Sequence, residues 1–174
     1  ATRSLPEKST CLFEIGQVYE RWLNDRGTAV DYYEQAMDLD ERNVAAAAPL
    51  VDVYLADRRW ERAEPLLDLI IELRQQQQAE PRELQGLAYK PGFVSEQLQK
   101  DEKALGFYKQ AFELDSTHLP TLQGMGNLLF RRELWDRAFQ MYQTILVHHR
   151  EHLSDAEVVE VFYRLGQVKL KIGE

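Results

Sequence analysis

One stretch of this 174-residue chain is written twice. Tyr32-Tyr33-Glu34-Gln35-Ala36-Met37-Asp38-Leu39-Asp40 returns 75 residues later as Phe107-Tyr108-Lys109-Gln110-Ala111-Phe112-Glu113-Leu114-Asp115. Trp60-Glu61-Arg62-Ala63 returns as Trp135-Asp136-Arg137-Ala138 at the same interval, and Ile15-Gly16-Gln17-Val18 as Leu165-Gly166-Gln167-Val168 at twice that interval. A shorter period lies inside: Ala29, Ala63, Ala104 and Ala138 are spaced 34, 41 and 34, and each is followed four residues on by Tyr33, Leu67, Tyr108 or Tyr142. Self-similarity of this length marks a chain that stacks copies of one supersecondary element.

That element is helical. Leu12, Ile15, Tyr19, Trp22 and Leu23, and again Val161, Phe162, Leu165, Val168, Leu170 and Ile172, recur at the spacing of one amphipathic helix face. No stretch alternates apolar and polar residues for long enough to make a strand. Helices are expected over 9–23, 27–39, 44–56, 59–78, 82–99, 101–114, 118–131, 134–150 and 155–172. Asn43 is placed to cap the helix through Ala45 to Ala48, and Pro81 falls in a first turn, where it costs no hydrogen bond. Ser154-Asp155-Ala156-Glu157 is a capping box. Gln75 to Gln78, flanked by Ile70, Ile71 and Leu73, reads as a helix extension. Residues 1–174 read as a single domain in which short connections make neighbouring helices antiparallel.

A 34-residue helix-turn-helix period with a small and a large apolar residue at helical spacing resembles the tetratricopeptide repeat. Leu12, Ile15-Gly16 and Tyr19 follow the family's first-helix pattern, with Leu in place of the usual Trp. Ala29, Tyr33 and Ala36 follow its second helix. Leu50-Val51 and Tyr54 lead in the same way to Ala63, Leu67 and Ile70, and Met125-Gly126 and Leu129 to Ala138, Tyr142 and Ile145. Glu41 and Ser116 replace the closing proline. The resemblance implies an all-α, right-handed α-solenoid of antiparallel helix pairs. Its repeats run roughly over 9–42, 43–80, 82–116 and 117–151, and one extra C-terminal helix forms a half repeat, 155–174. Gly16, Ala29, Ala36, Gly126 and Ala138 are then packing residues, since helices crossing at about 8–10 Å leave no room for a large side chain.

Two spacings depart from the pattern. The small slot precedes its alanine by 12 residues in Val51 to Ala63 and in Gly126 to Ala138, which puts the third slot at Gly92 with seven extra residues before it. Seven residues make about two helical turns, so a lengthened helix pair around Gln75 to Leu87 is favoured over a loop, with Pro91 kinking the helix that contains it. A competing register puts Gly86 in the slot and makes Lys90-Pro91-Gly92 a loop. Ala138 to Gly166 is likewise 28 residues rather than the expected 22.

Little in the composition suggests chemistry. A net charge of −8 argues against binding along a nucleic-acid backbone, which needs clustered Lys and Arg. No apolar run approaches 18 residues and no signal peptide is present, so no membrane association is expected and a cytoplasmic location is. The lone Cys11 lies on an apolar face as a buried, inert thiol. His148, His149 and His152 lack the further ligands a zinc site requires. No cofactor, metal or catalytic residue is expected, and the chain reads as no enzyme. Starting at Ala1 and stopping at Lys171-Ile172-Gly173-Glu174 in mid-pattern, it reads as a fragment of a longer repeat protein.

The resemblance further implies that the first helix of each pair lines a concave groove. Phe13, Gln17, Asp52, Tyr89, Phe93, Gln123, Asn127, Phe130, Arg131, Tyr163 and Gln167 fall on it, together with Glu20, Arg21, Ala48, Leu55, Glu96 and Lys171. Phe13 and Gln17, Ala48 and Asp52, and Gln123 and Asn127 stand where chaperone-tail clamps of the family carry Lys and Asn. With no Lys there, and with Asp52 repelling a carboxylate, such a clamp is not expected. The expected function is a non-catalytic protein–protein interaction scaffold that binds a peptide or protein segment in the groove. The alternative is a regulatory or substrate-recruiting arm of a larger enzyme. The last helix lacks its covering partner, which predicts self-association through it.

Overall fold

The computed structural model describes residues 4–77 and 86–173. These residues form α-helices joined by turns, and no strand occurs among them. The chain divides into two compact units, Ala1–Gln78 and Ala79–Glu174.

The first unit contains α1 (Leu5–Arg21), α2 (Arg26–Leu39), α3 (Val44–Ala56) and α4 (Trp60–Gln76), each packed on the next. Helix α1 starts four residues before the expected position because Glu7 reaches back to accept the Ser4 N–H at 2.7 Å, and Pro6 lies in the first turn. Asn43 caps α3 as the sequence suggests, its Oδ1 accepting the Ala46 N–H at 3.1 Å. The interior is built from Ala29, Tyr33, Ala36, Leu50, Val51, Ala63, Leu67 and Ile70, all buried. Buried Ser9 ties three helices: its hydroxyl donates to the Ala36 carbonyl at 2.7 Å and accepts from Asn43 Nδ2 at 2.8 Å. Cys11, expected to be buried, is half-buried.

The second unit contains α5 (Tyr89–Gln97), α6 (Asp101–Leu114), α7 (Leu119–Arg131), α8 (Trp135–His149) and α9 (Asp155–Ile172). Its core runs from Ala104 and Tyr108 through Leu122, Leu128 and Leu129 to Ile145 and Val168. The Ser154 hydroxyl accepts from the Glu157 N–H, and Glu157 Oε2 accepts the Ser154 N–H at 2.9 Å, completing the expected capping box.

The region around Pro91 requires a correction. The sequence reading expects one helix over 82–99, but Gly86, Leu87 and Ala88 form a turn and α5 begins at Tyr89. Residues 82–85 and the expected first-turn Pro81 lie outside the described residues, as does Gln78 of the glutamine tract, and α4 itself stops at Gln76. Pro91 is therefore the third residue of a nine-residue helix, where its missing N–H would have had no acceptor within the helix, so the cause of the expected kink is absent. Gly92 occupies the small slot. A Cβ there would stand 2.7 Å from the Tyr108 ring, whereas one on Gly86 would meet nothing within 4 Å.

Each intra-pair turn closes by the same device, which residue types do not announce. Asn24, Arg58, Gln99 and Glu133 have φ of 51°, 56°, 59° and 58°, each standing five residues before the small alanine of its second helix. The amide after the left-handed residue bonds back into the first helix: Arg59 to the Tyr54 carbonyl at 2.8 Å, Lys100 to Ser95 at 2.8 Å and Leu134 to Leu129 at 3.0 Å. No described helix is long and apolar enough to cross a membrane.

Candidate functional site

A tyrosine on the second helix closes three of the pairs and fixes what the first helix can present. In the first unit, a Cβ on Gly16 would lie 2.6 Å from Tyr33 Cε1, so the ring fills the space that glycine vacates. The Tyr33 hydroxyl then reaches over α1 and donates to Glu20 Oε2 at 2.8 Å. In the second unit Gly92, Tyr108 and Glu96 repeat the arrangement, with the hydroxyl bond again 2.8 Å. In the next pair Tyr142 packs on Gly126 and donates to Asn127 Oδ1 at 2.9 Å. Burial raises the Tyr33 and Tyr142 hydroxyls to about 12, and the bond to Glu20 adds to the effect on Tyr33. Burial and the Glu96 carboxylate push Tyr108 up as well. These hydroxyls stay protonated and serve as donors.

In the first unit, Phe13 is half-buried, with its ring 5.7 Å from that of Tyr33, and Gln17 follows one turn later on the same helix. Asp52 is exposed on α3. In the second unit, side-chain contacts link α5 to α7 and α7 to α9. Tyr89 on α5 lies 5.1 Å from the His118 ring that precedes α7. Arg131 on α7 pairs with Glu96 at 3.0 Å and with Asp101 at 3.2 Å. Arg164 on α9 lies over the Phe130 ring at 5.1 Å. Along this row Phe93, Asn127 and Tyr163 are exposed, while Tyr89, Gln123, Phe130 and Gln167 are half-buried.

Several expected site residues thus have structural duties. Asn127 and Glu96 hold tyrosine hydroxyls, and Arg131 closes an ion-pair network at one side of a cavity of about 470 Å³ lined by Glu96, Gln97, Gln99, Asp101 and Arg131. Phe130 lies under Arg164 and meets the Trp135 ring edge to face, with the centroids 5.3 Å apart. Sequence reasoning missed Asp101, Trp135 and Arg164. It also missed the tyrosine-to-carboxylate bonds, although a Glu four residues after Gly16 and again four after Gly92 was a visible signal. Among the histidines proposed and rejected as ligands, His149 donates from Nε2 to the Thr117 carbonyl, tying the end of α8 to the turn before α7. No group of three His, Cys, Asp or Glu among the described residues is placed to hold a metal ion.

Residues 23–87 match the family model for the tetratricopeptide repeat. No curated protein matches the chain by sequence. Solved structures do match it in fold. The protein YrrB, described as a tetratricopeptide-repeat protein with an unusual peptide-binding site, superposes with a TM-score of 0.70 at 18% identity, over 91% of this chain and 75% of that one. MamA gives 0.74 at 16% identity, over 96% and 84%. PilF of Pseudomonas aeruginosa gives 0.62 at 18% identity, over 94% and 74%. The family match thus covers residues 23–87, and the chain as a whole shares the fold of the tetratricopeptide-repeat structures on which it superposes.

Proposed function

We propose that the chain is a non-catalytic scaffold that holds a peptide segment of another protein on the first-helix face of its repeats. The observation that carries this reading is the row formed by α5, α7 and α9. There, exposed Phe93 and Tyr163 and half-buried Phe130 stand among the amides of Gln123 and Asn127. A few aromatic anchors with interspersed amides suit an extended or short helical peptide, whose affinity comes from anchors rather than from area. YrrB, which shares the fold, is described as having a peptide-binding site, and that supports the same use here. On the first unit Phe13 and Gln17 are neutral and Asp52 contributes one carboxylate to the face. This favours a segment carrying Lys or Arg. The outer face of α9 is a second surface, suited to another copy of the chain.

Selection of a random displayed-peptide library on the whole chain tests the first surface. Clones selected on the parent should lose roughly tenfold or more in affinity against Phe93→Ala or Phe130→Ala, the size expected for an anchor. Asp52→Lys should weaken the basic clones. Retention of every clone by all three variants would overturn the assignment.

A further inference from the structure

Gly124 is a glycine that the repeat does not ask for. It lies in the middle of α7, two residues before the small slot at Gly126, and the residues in the same place on α1, α3, α5 and α9 are Glu14, Pro49, Lys90 and Arg164. Glycine inside a helix is destabilising relative to alanine, so this one has to be explained by what it lets in. It lets in the tip of the Tyr108 side chain. A Cβ on Gly124 would stand 2.5 Å from both Cζ and Oη of Tyr108, while one on Gly92 would stand 2.7 Å from Cδ1 of the same ring. Tyr108 of α6 is thus lodged between two first helices, with its near edge against α5 and its tip against α7. Tyr33 and Tyr142 each lie against one glycine.

The ring has little freedom to step aside. Tyr108 is 1% exposed, its hydroxyl donates to Glu96 of α5 at 2.8 Å, and Glu96 is held in turn by Arg131 of α7 at 3.0 Å. That ion pair draws α7 toward α5, and the tip of Tyr108 sets how near it can come. At the other end of α5, Tyr89 packs on His118. The two first helices accordingly pack directly on one another. Phe93 and Asn127 stand exposed on them, each one residue after the small slot of its helix, so the spacing of α5 and α7 is the spacing of these two side chains. For a Cβ on Gly124, ordinary van der Waals distance is about 3.5 Å, roughly 1 Å more than it would have. With the ring enclosed, α7 gains that room by moving off α5.

We infer that Gly124 is a positioning residue of the peptide face. By letting α7 close on the tip of Tyr108, it fixes the separation of Phe93 and Asn127, and with it the spacing of the anchors that a bound segment must carry. It acts through Tyr108 and needs no contact with the peptide. This rests on the reading of the first-helix face as a peptide site and adds what sets its selectivity in the second unit.

Selection of a random displayed-peptide library carried out twice, on the whole parent chain and on the whole chain with Gly124→Ala, tests it. Clones selected on the parent should bind the folded Gly124→Ala chain roughly tenfold or more weakly. Clones selected on Gly124→Ala should carry their anchors at a different spacing and bind the parent weakly in turn. A purely structural role would lower the amount of folded chain and leave the selected spacing unchanged. In a Tyr108→Phe background the ring is released from Glu96 and can give, so there the same substitution should fold even if the single variant does not, and should shift the spacing less. Selections that return one anchor spacing on both chains, from clones that still require Phe93, would overturn the role of Gly124 and leave the peptide face standing. Parent-selected clones indifferent to both Phe93→Ala and Phe130→Ala would overturn the reading beneath it.

Discussion

The Tyr108 ring lies where a Cβ on Gly92 would have to be, 2.7 Å away, and its hydroxyl continues past the glycine to Glu96. One side chain thereby decides how near α6 comes to α5 and which acceptor α5 must carry one turn on. Gly92→Ala should cost about 1–3 kcal/mol, because the Tyr108 ring is itself enclosed and cannot yield without shifting a helix. Gly106→Ala, on an exposed part of α6 with nothing within 4 Å, should instead stabilise by up to roughly 1 kcal/mol. Urea midpoints of the two variants should move in opposite directions.

Removing the hydroxyls separates a buried acceptor from a wet one. Tyr108→Phe leaves Glu96, whose side chain is 11% exposed, without one of its bonds and should cost about 1–2 kcal/mol. Tyr142→Phe leaves the exposed Asn127 amide to water and should cost clearly less. Equal losses in urea unfolding would contradict this account of the network.

The same hydroxyls make stability depend on alkaline pH. The folded chain holds Tyr33 and Tyr142 at about 12 against an ordinary 10.0, so the unfolded chain loses these protons first. Their contribution is complete below pH about 10 and is lost as pH rises from there through about 12. Unfolding free energy measured across that range should fall, and tyrosinate absorbance should rise together with the loss of helicity. Replacing both residues by Phe should flatten the decline.

Four non-glycine residues hold left-handed backbone at the intra-pair turns. Glycine relieves the steric cost there but adds freedom to the unfolded chain, so Glu133→Gly or Arg58→Gly should stabilise by about 0.5–1 kcal/mol. A lower melting temperature in both variants would mean that these side chains do more than close a turn.

How much of this was legible in the sequence follows from the physics of each feature. Helix pairing and the glycine–tyrosine contacts could be read from spacing, because a period of 34 and a small residue opposite a large one survive any change of side-chain detail. Pro91 was misread because spacing carries no hydrogen bonds: whether a proline kinks a helix or begins one depends on where the first turn starts, and Tyr89 starts it. The second duties of Arg131, Phe130 and Asn127 were out of reach for a different reason. A face is fixed by periodicity, but a side chain on that face bonds to whatever the neighbouring helix offers. For Arg131 that meant Glu96 and Asp101, 35 and 30 residues earlier in the chain.

Amide hydrogen exchange of the whole chain, with and without a library-selected peptide at saturation, tests whether a peptide lies along the first helices. Protection should gather on α5, α7 and α9, with cross-links from the peptide to positions such as Phe93 and Asn127, while α6 and α8 exchange as before. Protection confined to α6 and α8, or peptide cross-links at exposed second-helix positions such as Lys109 and Gln140, would contradict it.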